Sequence, residues 1–216
     1  MKLLRISDGR AGHIRLHFDD GSVLKTLPSV VERFALSDGM TLDDAQMDAL
    51  RDSVSAGSAR ERAVHIVSAV GVSEKELCRR LVQKGESRAD AESAVEWLKE
   101  LELLDDRRTA EQIVSSAVNR GYGRARIRNL LYEKGIPRAL WEEALACVPE
   151  MDDVIDRFLH QRLDGREIDD KLIKKTVDAL IRKGHGYGDI QDALRRFRAD
   201  LELEPEPEIE PEPDAF

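Results

Sequence analysis

The feature that most constrains this chain is a repeated helix ending. Three segments superpose on a Lys-Gly step: Leu81-Val82-Gln83-Lys84-Gly85, Leu131-Tyr132-Glu133-Lys134-Gly135 and Leu180-Ile181-Arg182-Lys183-Gly184, spaced by 50 and then 49 residues. Counting on from each Gly, position +6 is Ala91, Trp141 or Ile190, and position +9 is Ala94, Ala144 or Ala193. Position +10 is Val95, Leu145 or Leu194, and position +13 is Leu98, Val148 or Phe197. Steps of three, one and three place these side chains on one face of a helix. Each Gly suits the left-handed cap that ends the preceding helix, with a Lys beside the negative helix end. Alanine at +9 in every copy predicts close helix approach.

Upstream of each step lies another amphipathic stretch: Ala63 to Val70, Ala110 to Val118, and Val154 to Leu159. A mainly α fold is therefore expected, with three tandem three-helix modules at residues 59–104, 105–150 and 151–200. Short helices are marginal alone, so the modules are expected to stack into an elongated curved rod. Residues 1–57 read differently. His13 to Phe18 alternates polar and apolar, Asp19-Asp20-Gly21-Ser22 forms a turn, and Val23 to Leu27 answers as a second strand. Leu3 to Ser7 is a candidate third strand. Thr41 or Asp43 caps a helix expected to end near Val54, and the small residues Ser55 to Ser58, with Gly57, mark the expected boundary.

The formal charge of −9 describes mainly the last sixteen residues, which hold seven acids and no base. The Glu-Pro alternation of 201–216 predicts a disordered acidic tail, either a solubility tail or an arm competing for a basic groove. The longest run without Asp, Glu, Lys or Arg is Ala63 to Ser73, eleven residues, too short to span a membrane. With Lys2 and Arg5 breaking any signal-peptide core, a cytoplasmic protein is expected. Cys78 and Cys147 have no CxxC partner and are expected to be small buried residues. The five histidines never pair with a Cys or another His at ligand spacing on one helix, so no metal and no cofactor is expected.

Nothing resembling a catalytic constellation emerges: the chain has no Walker loop, GxSxG or HExxH. Asp105-Asp106 stands where its carboxylates would accept free amides of a helix start. The triplets Gly121-Tyr122-Gly123 and Gly186-Tyr187-Gly188 read as turns with an anchoring Tyr, with a phosphate-cradling loop as the lesser reading. One charge feature stands out. Between Gln112 and Arg138 lie Arg120, Arg124, Arg126, Arg128, Lys134 and Arg138 against a single acid, Glu133. On a helix beginning near Tyr122, Arg124 and Arg128 share a face, as phosphate or an acidic protein patch would require. Lys174, Lys175, Arg195, Arg196 and Arg198 extend the candidate track to the third module.

The succession Leu103-Leu104-Asp105-Asp106, Ala110, Arg120-Gly121, Arg126-Ile127, Leu130, Lys134-Gly135-Ile136 resembles the central motif of the RecX family, bacterial regulators of the RecA recombinase. Ser73-Glu76-Leu77, Leu81 and Lys84-Gly85 resemble its first module, and the likeness covers residues 59–200. Three departures stand out. Thr109 occupies a place where the family often has an aromatic, the β-containing N-terminus resembles extensions of only some members, and the acidic tail lies outside the common pattern. The resemblance implies a monomeric, non-enzymatic regulator that binds RecA and its DNA filament and limits ATP hydrolysis, strand exchange and SOS co-protease activity. It implies no membrane partner. The arginine stripe leaves two alternatives, an autonomous helical DNA-binding module meeting phosphate backbones and a helical-repeat adaptor for another protein.

Overall fold

In the computed structural model, which describes residues 1–200, the chain divides into two compact units, residues 1–105 and 106 onward. The tail expected to be disordered, 201–216, lies outside the described residues. In the first unit, β1 (Leu3–Asp8), β2 (Ile14–Phe18) and β3 (Val23–Thr26) form an antiparallel sheet of order β1-β2-β3. The expected hairpin and third strand are all present. The β2–β3 turn closes on Gly21, at φ +84°, and on the Asp20 carboxylate, which accepts from the Ser22 amide at 2.9 Å and hydroxyl at 2.6 Å. Those two bonds hold the Asp20 carboxyl below its ordinary range. One face of the sheet buries Leu3, Leu16 and Phe18 beneath α1 (Pro28–Arg33) and the first half of α2.

Helix α2 corrects the sequence expectation. It begins at the Asp43–Gln46 capping box, as the Asp43 signal predicts, but runs unbroken from Asp44 to Ala69 rather than ending near Val54. Gly57 keeps a helical backbone, since it is absent from the positive-φ positions. Glycine costs a helix interior about 1 kcal/mol relative to alanine. Packing on both sides offsets this: a β-carbon at Gly57 would lie 3.7 Å from Leu27 Cδ1, while Ser55 Oγ donates to Asp90 at 2.6 Å and Ser58 Oγ to Glu86 at 3.1 Å. The small residues that look like a boundary are where neighbours press on a continuous helix. Its first half contributes Met47 and Leu50 to the sheet core. Its second half contributes Ala59, Ala63 and Ile66 to a core shared with α3 (Glu74–Gln83) and α4 (Arg88–Glu100).

The second unit contains α5 (Asp106–Asn119), α6 (Arg124–Glu133), a 3-10 turn (Arg138–Leu140), α7 (Trp141–Ala146), α8 (Asp152–Leu163), α9 (Asp170–Arg182) and α10 (Tyr187–Asp200). One apolar cluster gathers residues of α5 to α7 and another those of α8 to α10. The three Lys-Gly steps close α3, α6 and α9 identically. Gly85, Gly135 and Gly184 have φ of +95°, +74° and +87°, and the amide after each Gly donates five residues back, Glu86 to Leu81, Ile136 to Leu131 and His185 to Leu180, at 3.0–3.2 Å. The left-handed caps expected at these glycines are thus present, closed in the Schellman pattern. Ala94, Ala144 and Ala193 are buried on the expected face.

The middle copy departs from the pattern. α7 has only six residues, because Pro149 disfavours a helical conformation at Val148 and so removes the last turn. Cys147 thus sits at the C-cap and is exposed, and Cys78 is half-buried against the α3–α4 core, so neither is the fully buried small residue expected. Asp106 opens α5 and is buried. Among the described residues no helix is long and apolar enough to cross a membrane.

Candidate functional site

The start of α6 is fixed by a close approach to the end of α9. After α5, the chain turns at Gly121, at φ +67°, and extends through Gly123, whose amide donates to the Lys183 carbonyl at 2.8 Å. The Ala125 amide donates to the Gly184 carbonyl at 3.1 Å. Two free amides of one helix start thus meet carbonyls left free at the end of another, joining opposite dipole ends. A β-carbon at Gly123 would fall 2.2 Å from the Gly184 oxygen, and one at Gly184 2.2 Å from the Arg126 nitrogen, so only glycine fits either position. His185 Nε2 lies 3.1 Å from the Gly121 carbonyl and therefore donates, while Lys183 Nζ donates to the Arg120 carbonyl at 3.3 Å. Burial holds His185 below the ordinary imidazole range. The Gly121-Tyr122-Gly123 triplet is thus a packed turn, with Tyr122 half-buried under Lys183, whose ammonium lies 5.5 Å from the ring centroid. Its Gly123 amide is bonded to protein carbonyl, which corrects the phosphate-cradle reading there.

With α6 so anchored, Arg124 and Arg128 project from one exposed face, four residues apart. Arg138 arrives from the 3-10 turn, and the three line an open groove of about 540 Å³ with Trp141, Glu142 and Leu145. Trp141 forms the wall. Its Nε1 donates to the Ile136 carbonyl at 2.9 Å, and the Arg138 guanidinium lies 5.7 Å from its ring centroid. None of these three arginines has an ion-pair partner among the described residues. Tyr132, one turn beyond Arg128, is 68% exposed, unusual for so large a side chain. Forked cations beside two aromatic surfaces can bind phosphate oxygens or carboxylates and stack against a base or planar group.

The other predicted cations stand apart from this groove lining. Arg126 is half-buried and pairs with Glu133 at 3.0 Å; Arg120 lies in the turn just after α5, and Lys134 caps α6. In the third helical triplet, Arg196 bonds Asp156 at 2.8 Å and 3.1 Å and lies 3.6 Å from Asp152, and these carboxylates hold its guanidinium firmly charged. Arg195 pairs with Asp192, Arg198 is half-buried, and Lys174 and Lys175 lie on the exposed side of α9. Sequence reasoning missed Tyr132 and Trp141 as site residues. Tyr132 was open to detection by the i, i+4 rule from Arg128, whereas Trp141 carried only the signature of a core position. No cluster of three metal-ligating side chains occurs among the described residues.

A family model described as the second three-helix domain of RecX matches residues 105–145, the stretch that contains the groove arginines and Trp141. The regulatory protein RecX of Shigella boydii serotype 18 is 31% identical over 155 residues, spanning 63% of this chain and 90% of that protein. The regulatory protein RecX of Clostridioides difficile is 26% identical over 189 residues, spanning 85% of this chain and 88% of its own length. A crystal structure of regulatory protein RecX matches with a TM-score of 0.66 at 22% identity over 88% of this chain and 98% of that one. RecX from Lactobacillus salivarius matches with a TM-score of 0.57 over 68% of this chain, so the fold is shared well beyond recognisable sequence. With relatives at least 30% identical and matched over nine-tenths of their length, the chain belongs to the RecX family of regulatory proteins.

Proposed function

We propose that this chain regulates the RecA recombinase in the cytoplasm by binding RecA and its DNA filament, limiting ATP hydrolysis and strand exchange without catalysing a reaction itself. The observation that carries this reading is the groove of Arg124, Arg128, Arg138 and Trp141, three cations without carboxylate partners among the described residues, in a chain whose relatives are named regulatory proteins. The three helical triplets, taken as modules 59–104, 105–150 and 151–200, supply the scaffold, and the middle one supplies the contact. Its ligand is either the phosphate backbone or an acidic RecA surface, since both present oxygens that a guanidinium fork accepts. The exposure of Tyr132 beside Arg128 favours a second contribution, direct stacking on unpaired bases.

The test is ATP turnover by RecA on single-stranded DNA as the chain is titrated in. Turnover is expected to fall, and unchanged turnover at several-fold excess over filament sinks the proposal. Arg124→Glu with Arg128→Glu is expected to raise the concentration needed by about tenfold, equivalent to ~1.4 kcal/mol, with helical content intact. Normal regulation by that variant would reduce the groove to a solvated helix face.

A further inference from the structure

The strand register exposes a charge pattern that regional net charge conceals. Residues paired across an antiparallel ladder point to the same side of the sheet. In the row Ile6–Leu16–Leu24 the side chains face the core, as the burial of Leu16 requires. The alternate rows face solvent. They are Arg5–His17–Val23 and Ser7–Arg15–Lys25, running from β1 through β2 to β3. Arg5, Arg15 and Lys25 are exposed, and neither of these two rows contains Asp or Glu. The nearby acids lie at its edges: Asp8 pairs with Ile14 at the strand end, Asp19 and Asp20 make the hairpin turn, Asp38 accepts from the Ile6 amide at the β1 edge at 2.7 Å, and Glu61, bonded to His13, borders the groove that Lys25 also lines.

Two further observations separate this face from an ordinary solvated one. Arg15 stands directly opposite Lys25, in adjacent strands about 4.8 Å apart, an arrangement that repels and lowers stability. None of Arg5, Arg15 and Lys25 has an ion pair among the described residues that would relieve it. Beside these cations, Leu4, the extra residue where the β1–β2 register shifts, and Val23 are each 53% exposed, so apolar side chains flank the charged row. Unrelieved cations on two neighbouring rows of the three strands, with apolar side chains at the margins, match a strand of phosphates carrying bases.

We infer that the solvent face of the N-terminal sheet, built on Arg5, Arg15 and Lys25, is a second nucleic-acid docking surface, separate from the Arg124–Arg128–Arg138 groove. It binds the phosphate backbone. With no Phe, Tyr or Trp on the face and the His17 ring bonded to Ser7, it positions nucleic acid without reading base sequence. The inference does not depend on RecA regulation.

The test uses the full chain, a fluorescein-labelled thirty-nucleotide oligo(dT) and a thirty-base-pair duplex, with affinity measured by anisotropy across a salt series. Arg5→Gln, Arg15→Gln and Lys25→Gln together are expected to weaken oligo(dT) binding and to lower the slope of log affinity against log salt by about 2, at roughly 0.7 per single-strand phosphate. A larger loss on the duplex identifies double-stranded DNA as the ligand. The fold control is thermal unfolding, expected to be unchanged or raised because the Arg15–Lys25 repulsion is gone. Should the triple variant not fold, Lys25→Gln alone must lower the slope by about 0.7. Undetectable binding by the parent chain at low salt overturns the inference, as does an unchanged slope on both ligands, including the case in which the face instead meets an acidic protein. Making the same substitutions in the Arg124→Glu, Arg128→Glu background separates the two surfaces. A slope reduction that persists there belongs to the sheet.

Discussion

Gly85 and Gly184 occupy the same place in the same motif, yet the structure loads them differently. Both close a helix in the left-handed region, at φ +95° and +87°, with matching hydrogen bonds to the preceding turn. A β-carbon at Gly85 would meet nothing within 4 Å, whereas one at Gly184 would strike the backbone nitrogen of Arg126 at 2.2 Å. The first glycine ends a helix. The second ends a helix and seats the start of α6, from which the groove arginines project. A repeated sequence step therefore sets local conformation alike in every copy, while what packs against it differs.

The strongest way to break this contrast is Gly184→Ala. It adds left-handed strain of about 1–2 kcal/mol and displaces α6 from two backbone hydrogen bonds of about 1 kcal/mol each, so a destabilisation of about 3–4 kcal/mol is expected. Denaturant unfolding measures it. A loss no larger than that of Gly85→Ala would mean the junction with α6 carries no weight. Gly85→Ala is expected to cost about 1–2 kcal/mol from strain alone and to leave filament regulation intact.

The smallest effect is a pH dependence confined to the Gly184 junction. His185 is held neutral by burial, so its folded pKa lies below the unfolded value of about 6.5, and the unfolded chain binds the extra proton. Stability is therefore full above that value and declines as pH falls from about 6.5 toward the folded pKa. His185→Gln is expected to flatten this decline in melting curves recorded between pH 7.5 and pH 5.5. An equal decline in the variant assigns it to other groups.

What was legible in the sequence follows from range. The Lys-Gly steps were readable because a left-handed cap is local, decided by one residue lacking a β-carbon. Arg124 and Arg128 were readable as one face for the same reason. The groove was only half visible, because Arg138 and Trp141 reach it from a different element and Trp141 sits at a position where Ala91 and Ile190 are buried. The continuity of α2 was hidden because Ser55 to Ser58 has weak helix propensity, and the compensating contacts with Leu27, Glu86 and Asp90 lie far along the chain. The basic sheet face was hidden by summation, since Asp19 and Asp20 cancel its charge in a count but not in space.

The unbroken α2 has a consequence for cooperativity. At 1.5 Å per residue its 26 residues form a beam about 39 Å long, with one end in the sheet core and the other in the α3–α4 core. Opening either core frees half of a helix whose hydrogen bonds continue into the other, so sheet and first helical triplet should protect their amides as a single foldon. The N-terminal sheet is thereby tied to the first helical triplet by a shared helix, not appended through a linker. Strain imposed on the sheet by a bound polyanion has a stiff route to the first triplet.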